Sequence, residues 1–508
     1  MASPLEDDVF SKLKQKVNPS ETQRREDEVN QRLHAQAQKS HARQTELVSN
    51  NLTLPVTISS VRVLQAKHTR HGFLERVFSP LLNANGRQDY DLERALVDIS
   101  TAVNKLERFE IFKSPISVFI DKPDQADPAT TPTDIDIYVH AHERSRYTIK
   151  TGTEAGSAEG SAYANVQLRN LFGGAESLSA HASAGTRTRS AYSATFDTPI
   201  LSNPDLRWEI GGLASSTLKS WASHEEALKG GSTKLKWQSP SGHRHELGYS
   251  GLWRQITSLA ADASPTVRAD AGDSLKSSIF HTYTLDRRDS PLLPSRGYLL
   301  KTVSELAGAS FLRGDVAFGK VEVESQAALP VVPPLGVSLT TSLRAGLLYP
   351  LAGPGGEIKA SRINDRFQLG GPTDIRGFRL AGLGPRDGPD ATGGDVYAAG
   401  SANLMFPLPR TGIDSPLRLQ AFVNAGRLLA LKEPREKKES RKQSEVTDSM
   451  KETIQDLAHG LPSCAAGVGL VYAHPVARFE LNFSLPLVLR KGEQGRKGLH
   501  FGVGIEFM

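Results

Sequence analysis

At 508 residues the chain has room for two or more domains, and its 38% hydrophobic content is too low for a bundle of membrane-spanning helices. The 61 Lys and Arg against 56 Asp and Glu leave a formal charge of +5, and no basic cluster is interleaved with aromatic residues, so nucleic acid is excluded as a partner. A single cysteine, Cys464, excludes an internal disulfide framework and a Cys-based zinc cluster, and fits a reducing compartment.

No apolar run reaches the about 18 residues of a transmembrane helix. The most apolar stretch, 327–339, is broken by Pro330, Pro333 and Pro334. The first 50 residues lack the apolar core of a secretory signal, and Glu6, Asp7, Asp8 and Glu26 argue against an acid-poor transit peptide. If the chain is a membrane barrel, the expectation is a eukaryotic organelle surface reached from the cytosol and not export through a bacterial inner membrane. Residues 1–50 are polar and charged, with a weak helical tendency over 26–44, and are expected to be a disordered tail.

From Val56 the pattern predicts a small α+β domain over 55–142, in the order β-α-α-β-β. Strands fall at 56–64, 116–120 and 135–139, and helices at 73–82 and 92–109. In the second helix Leu92, Leu96, Ile99, Val103, Leu106 and Phe109 share a face, with Asp89 or Asp91 placed to cap its start. Free strand edges in such a domain accept an extended client by β-augmentation, or the domain is a passive spacer.

After Arg146 helical periods vanish and alternation runs to the end. Val337, Leu339, Thr341, Leu343, Ala345 and Leu347 oppose Ser338, Thr340, Ser342, Arg344 and Gly346; Phe479, Leu481, Phe483, Leu485 and Leu487 oppose Arg478, Glu480, Asn482 and Ser484. Val321 and Val323 likewise oppose Lys320, Glu322 and Glu324. Alternation alone fits a soluble sandwich or a lipid-facing barrel. Segment length favours the barrel, because about 10 residues is what a tilted membrane strand needs and soluble strands average about 5–6. About sixteen strands fit between 146 and 507, an even number. Connections after even strands are tight (172–174, 239–242, 330–334, 474–476), whereas those after odd strands are long (219–230, 256–274, 351–395, 428–461), the asymmetry of a transmembrane barrel. The charged run 432–451 in the last of these reads as a solvated loop, with partner docking the alternative.

The 351–395 connection is dense in Gly and Pro and contains D-R-F-Q-L-G-G-P-T-D-I-R-G-F-R-L over 365–380. Its Arg376, Gly377 and Phe378, preceded by Gly370, Gly371 and Pro372, closely resemble the signature loop of the outer-membrane-protein assembly superfamily, in which POTRA domains precede a transmembrane β-barrel. Three further stretches share the resemblance. The turn D-R-R-D-S-P-L-L-P-S-R-G-Y over 286–298 has Asp286, Arg288, Asp289, Pro294 and Gly297 at matching places, its charges expected to face water. Gly393 and Gly394 precede a strand ending in Phe406 and Pro407. His500, Gly502, Ile505 and Phe507 fit the C-terminal signal by which mitochondrial barrels are sorted. The 55–142 segment resembles one POTRA domain, and the whole looks most like the mitochondrial branch, the barrel subunit of the sorting and assembly machinery.

Arg376 is a permanent cation that needs acceptors if its loop folds into the lumen. The resemblance implies carboxylates on strands twelve and thirteen, but this chain carries Asn403 and Asn424 there, so neutral acceptors are expected in place of an ion pair. Gly377 would permit close approach and Phe378 would wedge the loop. The resemblance implies a seam between the first strand, near 146–153, and the last, 498–508, where Gly502 and Gly504 weaken closure. No phosphate loop, H-E-x-x-H or G-x-S-x-G is found, and His224-Glu225 lacks a second histidine, so neither enzyme chemistry nor a metal or other cofactor is expected. The function implied is an insertase for precursor β-barrel proteins at the mitochondrial outer membrane, with its POTRA-like domain in the intermembrane space. Its partners would be client precursors, peripheral helper subunits, lipid and a second barrel subunit. The alternatives are a polypeptide-conducting pore of the chloroplast-envelope or secretion type, and a plain diffusion porin.

Overall fold

The computed structural model describes residues 19–84, 90–123, 130–155, 160–309, 311–353, 355–410, 412, 415–432, 442–475 and 477–504. The chain divides into two compact units, Met1–Lys67 with Leu74–Glu143, and His68–Phe73 with Arg144–Met508.

The first unit begins with helix α1 (Pro19–Asn50), which replaces the disordered tail expected over 19–50. The segment has no glycine, opens on a proline suited to the first helical position, and is rich in Gln, Arg, Glu and Ala, so propensity forms a helix with no apolar face to bury. Residues 1–18 lie outside the described residues. Strand β1 (Thr57–Leu64), helices α2 (His71–Asn83) and α3 (Leu92–Glu107), and strands β2 (Ser117–Asp121) and β3 (Asp134–His140) follow. The sheet order is β1-β3-β2, with β3 parallel to β1 and antiparallel to β2, which leaves β1 and β2 as its edges. Asp91 caps α3 by accepting the Arg94 N–H at 3.2 Å; Asp89 lies outside the described residues.

The second unit is a transmembrane β-barrel of sixteen antiparallel strands, from β4 (Tyr147–Ala155) to β21 (Gly498–Gly504). Each strand pairs with its sequence neighbour; β14 (Val337–Pro350) pairs with β17 (Val396–Pro407) across the loop that holds the two-residue strands β15 (Arg386–Asp387) and β16 (Asp390–Ala391). Burial resolves what alternation left open. On β20 (Arg478–Val488) Leu481, Phe483 and Leu485 are 46%, 45% and 40% exposed, while Glu480, Asn482 and Ser484 are 0%, 1% and 0%. A soluble sandwich buries its apolar face, and this inverted pattern belongs to a barrel whose outer wall meets lipid and whose polar face lines the interior. Among the described residues no helix is long and apolar enough to cross a membrane.

The expected loop asymmetry holds only in part: 351–395 and 430–462 are long, but the turn after the third barrel strand is only 186–187, and the 287–296 turn after the eighth runs to ten residues. The expected 219–230 loop is mostly strand: β8 (Leu206–Lys219) and β9 (His224–Gln238) are joined only by 220–223. Gly230 lies inside β9, where a Cβ would stand 2.1 Å from the Gly251 carbonyl oxygen, so it marks a close backbone approach. The 256–274 connection contains helix α4 (Pro265–Ala269). The charged run is also not simply a solvated loop: 443 onward forms α5 (Gln443–His459), while 433–441 lie outside the described residues. Val446, Met450 and Thr453 make a buried stripe on α5, and Met450 packs with Val396 and Leu431. Charges on the other faces hide this stripe from a reading of composition.

Candidate functional site: an inward loop tied to the last strand

The 351–395 loop turns into the barrel. Phe367, Leu369, Ile375, Phe378 and Leu383 join Leu348, Ala399, Leu428 and Ala465 from the strands in one buried cluster, which places Phe378 as a wedge against the wall. The turn ahead of Arg376 uses Gly370 and Gly371, at φ 108 and 144, conformations that side-chain-bearing residues rarely adopt. Asp374 fixes it, accepting the Gly370 N–H at 2.7 Å through one oxygen and Arg344 Nη1 at 3.0 Å through the other. Gly377 sits at φ 89, and a Cβ there would lie 2.6 Å from the Ala465 Cβ. Only glycine lets the chain pass this close.

Arg376 is fully buried and paired with a carboxylate. Its Nε and Nη2 donate to the two oxygens of Glu480 at 2.8 and 3.1 Å, a two-point ion pair in which both side chains are 0% exposed. The expectation of neutral acceptors alone is therefore corrected. Asn403 does accept from Nη1 at 3.3 Å, and Asn424, with its amide turned to satisfy both ends, accepts the Arg376 backbone N–H at 2.9 Å. The Phe422 ring stacks at 5.0 Å from the guanidinium carbon. These amides supplement the carboxylate, since a buried guanidinium without a counter-charge is strongly destabilising. A signal for Glu480 exists in the sequence: it is the one acidic residue in β14, β17, β18 (Leu417–Leu429), β19 (Ser463–Ala473) and β20, and it falls at an interior-facing position.

Glu480 also receives Arg478 at 2.5 Å and the Asn482 amide at 2.7 Å. Arg478 in turn donates to Gln420 at 3.3 Å and to the Leu292 carbonyl at 3.2 Å. That carbonyl belongs to the 286–298 turn, so the two motifs meet through a pair of residues on β20. The turn's charges do not simply face water. Arg288 binds both oxygens of Asp286, at 2.9 and 2.8 Å, and reaches Gln326 at 2.6 Å, and the Pro294 carbonyl accepts from Thr340 at 3.4 Å. The interior offers these groups better-fixed partners than solvent. Partial burial alone would raise the Asp289 carboxyl, but hydrogen bonds from the Ser295 hydroxyl and from the Ser295, Arg296 and Ser290 N–H groups hold it below the ordinary carboxylate range. Gly297, at φ 101, closes the turn.

The loop is also stitched to the connection that leads into β21. Arg379 N–H donates to the Gln494 carbonyl at 3.0 Å, Gln494 N–H to Gly382 at 2.8 Å, and Arg496 N–H to Gly377 at 2.8 Å, with Phe378 and Gly495 forming a β-bridge. The Arg496 carbonyl then accepts from His500 Nε2 at 3.0 Å, and His500 is buried. Gly502 and Gly504 lie in register with Glu480 and Arg478, which leaves the charged pair room inside the wall. Ile505 and Phe507 lie outside the described residues. Strands β4 and β21 end the sheet order, and no ladder joins them among the described residues.

A sixteen-strand barrel whose long loop folds inward, with a small α+β POTRA domain ahead of it, defines an outer-membrane β-barrel of the assembly type. Residues 170–507 match the Omp85 superfamily domain. A SAM50-like protein of Schizosaccharomyces pombe is 39% identical over 482 residues, covering 94% of this chain and 97% of that protein. The human sorting and assembly machinery component 50 homolog is 34% identical over 415 residues, covering 80% and 82%. Among solved structures, BamA from Haemophilus ducreyi lacking POTRA domains 1–3 superposes with a TM-score of 0.67 at 15% identity, covering 88% of this chain and 84% of that one, a likeness of fold. The chain belongs to the Omp85 superfamily and, within it, to the family of sorting and assembly machinery component 50 proteins.

Proposed function

We propose that this chain folds precursor β-barrel proteins and inserts them into the mitochondrial outer membrane, pairing their strands at a lateral gate between β4 and β21. The relatives' name, a sorting and assembly machinery component, supports the reading. The observation that carries it is the tie between the Arg376 loop and the root of β21: Gly377 holds the Arg496 N–H, and the Arg496 carbonyl holds His500. The loop thus steadies the last strand from within, and among the described residues no ladder runs along the outer edge of β21. An unpaired edge presents a row of N–H and C=O groups, each costing several kcal/mol in lipid, so an incoming strand that pairs there is strongly favoured.

Client folding and burial of apolar surface in lipid supply the free energy; no covalent step and no cofactor are assigned. The α+β unit lies in the intermembrane space, where the β1 and β2 edges receive an extended client or the unit acts as a spacer. Peripheral helper subunits and a second barrel are its partners in the membrane. The test is assembly of a radiolabelled porin precursor in isolated outer membranes carrying Arg376→Ala. Assembly is expected to slow severalfold while the variant barrel stays folded; an unchanged rate would contradict the assignment of the loop.

A further inference from the structure

A cluster of imidazoles faces outward at the end of the barrel that carries the 239–242 and 287–296 turns, and the assembly role does not use it. On β10 (His243–Thr257) the even residue Arg254 points inward to Asp365, and the odd residues Leu247 and Tyr249 are 44% and 43% exposed on the lipid side. His243 and His245 share that outward parity. Opposite them on β11 (Gly272–Asp286), Tyr283 pairs with His245 and His281 with Leu247; on β9, Trp237 pairs with His245. His245 Nδ1 lies 3.3 Å from His281 Nε2, His243 Nδ1 lies 2.8 Å from the Tyr283 hydroxyl, and the His245 ring stacks on Trp237 with centroids 4.9 Å apart. Arg287, which continues the outward alternation of β11, donates to the Ser241 carbonyl at 2.5 Å and sits beside Gly242, adding a fixed positive charge next to His243.

We propose that this patch binds the phosphate of an anionic phospholipid, and that binding strengthens as the imidazoles protonate. The flanking rings Trp208, Trp237 and Tyr283 put the patch at the headgroup level, where amphipathic aromatics concentrate. That position favours a lipid headgroup over free phosphate. Besides His281, the charged or titratable groups on the outward parity of β11 and its turn are Tyr283, Arg287 and, two residues further out, Asp289, whose carboxylate already accepts the Ser290, Ser295 and Arg296 N–H groups and the Ser295 hydroxyl. On β12 (Gly297–Ala307) the residues opposite His281, Tyr283 and Leu285 are Ser304, Thr302 and Leu300, all uncharged. The outward carboxylates on these strands, Glu225 and Asp273, lie at their opposite ends, and Glu209 is turned to Lys236 and Lys234 on the other face. Protonation gives an imidazole a positive charge, so acid adds positive charge beside Arg287, while the Asp289 carboxylate is taken up by groups of its own turn.

The experiment uses the full chain in nanodiscs, with Trp208, Trp221 and Trp253 changed to Phe so that Trp237 alone reports. Brominated phosphatidylglycerol or brominated phosphatidylcholine is then titrated into neutral lipid. Near pH 5.5, brominated phosphatidylglycerol should quench Trp237 about fivefold more effectively per molecule, as one added surface charge implies. The preference should shrink toward about pH 8, and the combined H243Q, H245Q and H281Q variant should lose its pH-dependent part while keeping its strand content by circular dichroism. Millimolar inorganic phosphate should leave the quenching unchanged. Equal quenching by the two lipids, a pH-dependent preference that survives in the glutamine variant, or its erasure by free phosphate would each overturn the proposal.

Discussion

Arg376 and Glu480, 104 positions apart in the chain, meet as a fully buried two-point ion pair, and the same carboxylate holds Arg478 from the other side. One carboxylate is thus shared by two guanidiniums in the barrel interior. The loop, the last two strands and the 286–298 turn all depend on that carboxylate.

The two ends of the pair are therefore not equivalent. Arg376→Ala leaves Glu480 with Arg478, so the barrel loses a loop anchor but keeps its charge compensation. Glu480→Gln removes the carboxylate shared by two buried cations and should cost about 3–5 kcal/mol, the range for breaking a buried pair. Urea unfolding in detergent reads the difference. Adding Arg376→Ala to Glu480→Gln should recover part of the loss, a non-additivity that independent sites would not show.

Gly377→Ala should detach the loop from the wall without touching a charge. The substitution forces a side chain into a left-handed conformation costing about 1–2 kcal/mol and drives it against Ala465. Faster amide exchange at Arg379, Gln494 and Arg496 is the expected result, because those N–H groups form the stitch to the β21 connection. Unchanged protection there would show that the loop does not depend on the close approach.

The outer part of the loop has a separate, acid-sensitive anchor. Asp387 accepts the Thr266 hydroxyl at 2.7 Å and the Thr266 N–H at 3.1 Å, and Asp390 accepts from Ser223 and Ser264. The Thr266 hydroxyl and N–H hold the Asp387 carboxyl below its ordinary value of 3.8. A carboxylate depressed in the docked state stabilises docking fully above that ordinary value, and the contribution is lost as pH falls through the docked-state value. Protection of the Thr266 amide should stay flat from neutral pH down to the ordinary value and drop below it. Asp387→Asn, which keeps an acceptor oxygen but does not titrate, should flatten Asp387's share of that response.

Much of this arrangement was legible in the sequence. The 351–395 loop is bounded by the ends of β14 and β17, and the alternation of Phe479 to Leu487 fixes which side chains of β20 face inward. Glu480 carried a signal as the lone acidic residue of its strand group, but the resemblance pointed to the positions of Asn403 and Asn424 as the acceptors of Arg376. The physical requirement was only a carboxylate of inward parity within reach. The stitch between the loop and 494–496 is made by backbone groups, which leave no trace in side-chain pattern. Helices α1 and α5 were missed for opposite reasons: α1 forms with no apolar face to signal it, and the stripe of Val446, Met450 and Thr453 on α5 is masked by the charges around it.

The proposed lateral gate is tested most directly by locking it. In a Cys464→Ser background, one cysteine introduced into β4 and one into β21 are joined by a disulfide, and photocrosslinkers on each strand probe for an arrested client. The account predicts crosslinks from both strands to the client's terminal strand when the chain is reduced, and loss of both the crosslinks and client assembly when it is locked. Assembly at an undiminished rate by the locked barrel would contradict it.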